Sequence, residues 1–63
     1  MKIHALRLRD FNGALYVNFH AEFPPEMTLA EAHRQVTLLE DQVCQQLPGV
    51  AEIESHLEPQ KPT

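Results

Sequence analysis

Apolar and polar residues alternate with period two over residues 2–9, Lys-Ile-His-Ala-Leu-Arg-Leu-Arg. That period predicts a strand, with His4, Leu6 and Leu8 on one face and Ile3, Ala5, Arg7 and Arg9 on the other. Residues 14–23 repeat the pattern. Leu15, Val17, Phe19, Ala21 and Phe23 share one face, and Tyr16, Asn18, His20 and Glu22 share the other. Between the two runs stands Asn12-Gly13, a turn-forming pair, so the runs predict a β-hairpin. Phe23-Pro24-Pro25 ends the second strand, because proline cannot donate to a ladder. The period then changes. Leu29, Ala32, Val36, Leu39 and Val43 recur three and four apart, which is one stripe of a helix. Thr28 stands three residues before Glu31, the pattern of a capping box. Pro48-Gly49 stops the helix near Gln46 or Leu47. Residues 50–58 return to period two, with Ile53, Ser55 and Leu57 opposite Glu52, Glu54, His56 and Glu58 in facing.

The predicted order is β-β-α-β. A strand–helix–strand crossover makes the second and third strands parallel with a right-handed connection. The fold class is therefore α+β: a three-stranded mixed sheet with one helix on one face. Residues 2–59 form the domain, and residues 60–63, within Pro-Gln-Lys-Pro-Thr, are expected to be a flexible tail. One helix covers only one face of a sheet. The other must be wet or covered by a partner, and a homodimer is the simplest supplier.

Size sharpens that expectation. At 63 residues, one copy buries only about 60% of its unfolded surface, so disulfides, a metal or a second subunit usually assist. Cys44 is the only cysteine, which removes an internal disulfide and suits a reducing compartment. Cys44 is expected to be a small buried or half-buried thiol. Hydrophobic residues make up 43% and charged residues 22%, a globular balance rather than a disordered one. No apolar run is long enough to span a membrane, and no apolar signal core follows Met1-Lys2. Nine acidic residues stand against five basic ones, a net charge of −4, and the basic residues form no stripe. No nucleic-acid partner is expected.

The candidate chemistry lies in the four histidines. With a three-residue loop, Phe11-Asn12-Gly13, Asp10 pairs with Ala14 and His4 falls opposite His20 on one face. Cross-strand β-carbons are then about 4.5–5.5 Å apart, which suits two ligands on one ion. A loop of two or four residues breaks that pairing by one position. His56 and Glu58, two apart, share a face of the last strand. His33 lies on the helix beside Ala32, at the edge of the stripe, where it either reaches inward or flanks the core. Zinc takes neutral imidazole nitrogen and carboxylate oxygen, usually four in all. Taken singly, a strand histidine is more often a surface residue than a ligand, and Glu58 alone is a solvated charge at a strand end.

These residues together resemble a known family. His4-Ala-Leu-Arg-Leu-Arg9, then Gly13, then Tyr16-Val-Asn-Phe-His20, resembles the opening of the cytoplasmic C-terminal domain of cation diffusion facilitator transporters. Thr28-Leu-Ala-Glu-Ala-His33 resembles that family's helix start. Leu47-Pro-Gly-Val50 and His56-Leu-Glu-Pro59 resemble its closing strand and terminal motif. The resemblance implies a metallochaperone-like (ferredoxin-like) domain that pairs with a second copy, binds zinc or a related divalent ion and regulates an attached membrane transporter. By that resemblance His4, His20, His33, His56 and Glu58 are the metal ligands, and the location is cytoplasmic. The family's six membrane-spanning helices and the helix before its first strand are not in this chain. It is therefore expected to be an excised piece or a free-standing relative. The competing expectations are a metal-independent dimerisation module and, least favoured, a small zinc enzyme, since no second base or substrate pocket is evident. The chain is accordingly read as not an enzyme.

Overall fold

The computed structural model describes residues 1–61 of the chain. Pro62 and Thr63 of the expected tail lie outside the described residues. Strand β1 runs over Lys2–Phe11, β2 over Ala14–Phe23, helix α1 over Leu29–Gln46 and β3 over Val50–Pro59. The sheet order is β1-β2-β3, with β1 antiparallel and β3 parallel to β2. The β-β-α-β mixed sheet read from the alternation is the observed fold.

The helix packs on one face of the sheet. Val17, Phe19, Ala21 and Phe23 of β2 and Ala32 and Val36 of α1 form the buried core, with Met27, Leu39, Val50, Ile53 and Leu57 packed around it. Each large apolar side chain buried there contributes about 1.5–3 kcal/mol. The stripe holds in its middle and fails at its start, where Leu29 is 76% exposed. Cys44 is exposed, on the outer side of the helix, contrary to the buried thiol expected. Thr28 caps the helix, its Oγ1 accepting from Glu31 N–H at 3.1 Å. Only that half of the capping box forms. The Glu31 carboxylate turns instead to Arg34, accepting at 2.6 and 3.0 Å.

The hairpin differs from its expected form. Phe11 pairs with Ala14, so the loop is the two residues Asn12 and Gly13, both at positive φ (54° and 90°). Such a turn matches the right-handed twist of the flanking strands. Asp10 Oδ1 accepts from Gly13 N–H at 2.8 Å and closes it. A two-residue loop with a regular ladder moves every pairing by one. A β-bulge moves it back: His4 still pairs with His20, whereas Arg7 pairs with Asn18. Ala5 and Leu6 together therefore oppose Phe19, and Ala5 has φ 54°. The bulge also corrects the facing of β1. Leu8 pairs with Val17 and joins the helix side, while Arg7 and Arg9 lie opposite Asn18 and Tyr16 on the other.

The face away from the helix is thus a polar one, carrying His4, His20, His56, Glu22, Glu54 and Glu58 along with the two arginines. The thickness of the molecule is 14 Å and its length 40 Å. Its Cα radius of gyration, 12.8 Å, exceeds the roughly 10.6 Å of a compact chain of this length. The open face is long and uncovered.

Candidate metal centre

The ladder sets up the site. His4 pairs with His20 across β1 and β2, and His20 pairs with His56 across β2 and β3. Residues directly opposite share a face, so three imidazoles form a row perpendicular to the strands. The ring centroids of His4 and His20 are 5.1 Å apart, and those of His20 and His56 are also 5.1 Å apart, the latter pair nearly parallel at 17°. Two residues further along, Glu22 pairs with Glu58 and places two carboxylates beside the row.

Glu58 ties the first two histidines together. Its Oε1 accepts from His4 Nε2 at 2.6 Å, and its Oε2 accepts from His20 Nδ1 at 3.3 Å. The hydrogen bond from His4 holds the Glu58 carboxyl below its ordinary value against the opposing effect of desolvation, with His20 adding to the lowering. Glu58 is therefore an ionised oxygen donor at neutral pH. One donor atom each from His4, His20 and Glu58 lies within 4.8 Å of the other two. Two ligands of a tetrahedral zinc ion sit about 3.4 Å apart, given bonds of about 2.0–2.2 Å. A contraction of about an ångström closes the three donors on one ion, and the donor set is the one such an ion prefers.

The other expected ligands stand elsewhere. His56 stacks on His20, but its Nε2 is directed to Glu54 Oε1 at 3.4 Å rather than toward Glu58. His33 is exposed on α1, whose Ala32 and Val36 are buried against the opposite face of the sheet. Within one chain His33 is not brought to the triad. One carboxylate beside the cluster escaped the sequence reading: Glu22, whose Oε2 lies 3.2 Å from His4 Nε2. The signal was present, since Glu22 is two residues from His20 and shares its face.

Residues 1–60 match the family described as cation efflux protein, cytoplasmic domain. The chain belongs to that family. The structure of the candidate zinc transporter CzrB is similar to this cation efflux domain with a TM-score of 0.88 and 28% identity, over 97% of this chain and 73% of that one. The zinc form of CzrB gives 0.85 and 28%, over 95% of this chain and 66% of that one. The metal-bound C-terminal domain of the CzcD transporter from Thermotoga maritima gives 0.85, over 92% and 67%; at 17% identity that likeness shows the fold alone. Comparison with curated protein sequences gave no match. No helix of this domain, among the described residues, is long and apolar enough to cross a membrane.

Proposed function

We propose that this cation efflux domain binds a divalent metal ion, zinc foremost, and homodimerises as the regulatory cytoplasmic part of a cation efflux system or as a free-standing relative of it. The observation that carries the reading is the convergence of His4, His20 and Glu58 on one point of the open face. In that role the two imidazoles supply neutral nitrogen, Glu58 supplies charge, and an ion takes the place of the two N–H protons now directed at Glu58. His56 is next in the row and is proposed as a further ligand. His33 faces away from the triad and could serve only an ion shared with a second copy. The ion would supply positive charge at the meeting of two acidic protomers, each of net charge −4, and so lower their repulsion. The uncovered sheet face and the elongated shape support a partner copy, and the zinc form of CzrB, at 28% identity, supports the ion. The role is binding rather than catalysis.

The test is a thermal melt at neutral pH in zinc and in excess chelator, with metal content measured after gel filtration. A raised midpoint and retained zinc are expected. Equal midpoints with no retained metal would leave a metal-independent dimerisation module as the better reading, and sedimentation in chelator would then show the same dimer.

A further inference from the structure

We infer that a second copy docks on the open face through the end away from the histidines, with Arg9 of each copy over Glu52 of the other. The inference rests on the homodimer reading above and adds to it the orientation of the copies and the contacts that choose it.

Charge on this face is sorted by strand. Strand β1 presents Lys2, Arg7 and Arg9 there and no carboxylate, whereas β3 presents Glu52, Glu54 and Glu58 and no lysine or arginine. The ladder also sets these charges in rows. Arg9 pairs with Tyr16, which pairs with Glu52; Arg7 pairs with Asn18, which pairs with Glu54. Each arginine is therefore level with a glutamate but stands about 9–10 Å from it, two strand spacings away. Among the described residues, Arg7, Arg9 and Glu52 form no ion pair.

Two-fold symmetry turns that sorting into complementarity, because each contact between two residues is made twice with the roles exchanged. An axis lying in the face along β2 exchanges β1 with β3 and leaves every row at its own height. It sets Arg9 of one copy over Glu52 of the other, and Arg7 over Glu54. An axis across the strands does the reverse: it sets β1 on β1 and β3 on β3, with base over base and acid over acid. Like charges brought together across an interface suppress that arrangement. The copies therefore lie with their β2 strands running the same way.

The chemistry at this end fits the centre of an interface. Phe11 and Tyr16 meet edge to face with ring centroids 5.5 Å apart, and Phe11 is 59% exposed. They line a groove with Arg9, Glu52 and Glu54. Tyrosine and arginine are among the residue types enriched at interface hot spots. On the axis along β2 the arriving Arg9 comes down beside Tyr16 and over Glu52, where a guanidinium stacks on the ring while it pairs with the carboxylate. Packed sheets lie about 10 Å apart, a gap that an arginine and a glutamate close by reaching toward each other. Joining the β1 edge of one copy to the β3 edge of another also matches the charges, but the bulge at Ala5 and Leu6 interrupts the free edge of β1.

Charge reversal with sedimentation equilibrium, run in zinc and in excess chelator, tests the docking. Arg9→Glu creates two glutamate–glutamate contacts, and Glu52→Arg creates two arginine–arginine contacts. Each variant alone should raise the dimer dissociation constant by at least about tenfold. Glu52→Arg makes the chain less acidic, so its weaker association is opposite in sign to an effect of net charge. An equimolar mixture of the two variants should dimerise as tightly as the wild type, since every contact of the mixed dimer joins opposite charges, and that rescue also shows both chains to be folded. If the wild type stays monomeric in zinc and in chelator alike, the homodimer reading itself fails and this docking with it. If the wild type dimerises and either variant alone dimerises equally well, or the mixture gains nothing, the homodimer reading stands and this docking is overturned. Growth past two copies with concentration would show edge pairing and overturn it as well.

Discussion

His4 faces His20 because Ala5 adopts a left-handed conformation. With the two-residue Asn12-Gly13 loop, an unbroken ladder pairs Ala5 with His20 and turns His4 to the helix side. The bulge at Ala5 and Leu6 absorbs one residue and returns His4 to the open face. A left-handed backbone costs a non-glycine residue roughly 1–2 kcal/mol, and bulges often re-aim a side chain beside a functional site. The strain at φ 54° is thus tied to the geometry of the site.

Substitution at Ala5 should test that link. Ala5→Gly should retain the fold and zinc affinity, because glycine adopts positive φ freely. Ala5→Val should destabilise by about 1–2 kcal/mol or more, since a β-branched residue is a severe outlier there. It should also weaken zinc binding. Urea denaturation in chelator and a zinc competition assay would measure the two effects separately. Equal behaviour of both variants would show that the bulge can move.

The two histidines on opposite sides of the sheet should respond differently. At protein concentrations where the chain is monomeric, His20→Ala should lower zinc affinity by at least about tenfold, while His33→Ala should leave it unchanged. In the wild type, free zinc at a hundredfold excess over Kd should stabilise by about 2.7 kcal/mol, a shift on the order of 10–20 °C in Tm for a domain of this size. Differential scanning fluorimetry with a fluorescent zinc indicator checks both.

Glu58 predicts the acid limb of stability. Its carboxyl lies below the ordinary value of 4.5 in the folded chain, held there first by His4. A carboxyl lowered on folding stabilises fully above its unfolded value, and that contribution is lost as pH falls through the folded one. In chelator, wild-type stability should therefore fall more steeply below about pH 4.5 than that of Glu58→Gln. Chemical denaturation at stepped pH would show the difference, and parallel curves would contradict it.

The two glycines with positive φ should differ in tolerance. Gly13 has φ 90° and open space where a Cβ would go, whereas Gly49 has φ 95° and its Cβ would lie 3.1 Å from the Gly13 carbonyl oxygen. Gly49 O also accepts from Leu15 N–H at 2.8 Å, at the start of the β2–β3 pairing. Gly13→Ala should cost about 1–2 kcal/mol of backbone strain, and Gly49→Ala more, because the backbone there must also shift. Equilibrium unfolding of the two variants side by side gives the comparison.

Local chemistry along the chain determined the elements and much of the site's membership. The period-two runs, the prolines after Phe23, the Thr28 cap and Pro48-Gly49 each act within a few residues. Their consequences were legible for that reason, down to β2 over 14–23 and the helix end near Gln46. The shared facing of His20 with Glu22, and of His56 with Glu58, follows from the same period. Pairing between distant segments was decided only in the tertiary structure. A two-residue turn in place of three, and a bulge that cancels the change, leave no mark in alternation, because both depend on how twisted strands meet. Four features followed from that meeting: Leu8 changed sides, Glu22 reached His4, His56 turned to Glu54, and His33 stood on the far layer. A metal site needs donors placed to within about an ångström, and that precision comes from register rather than from residue type.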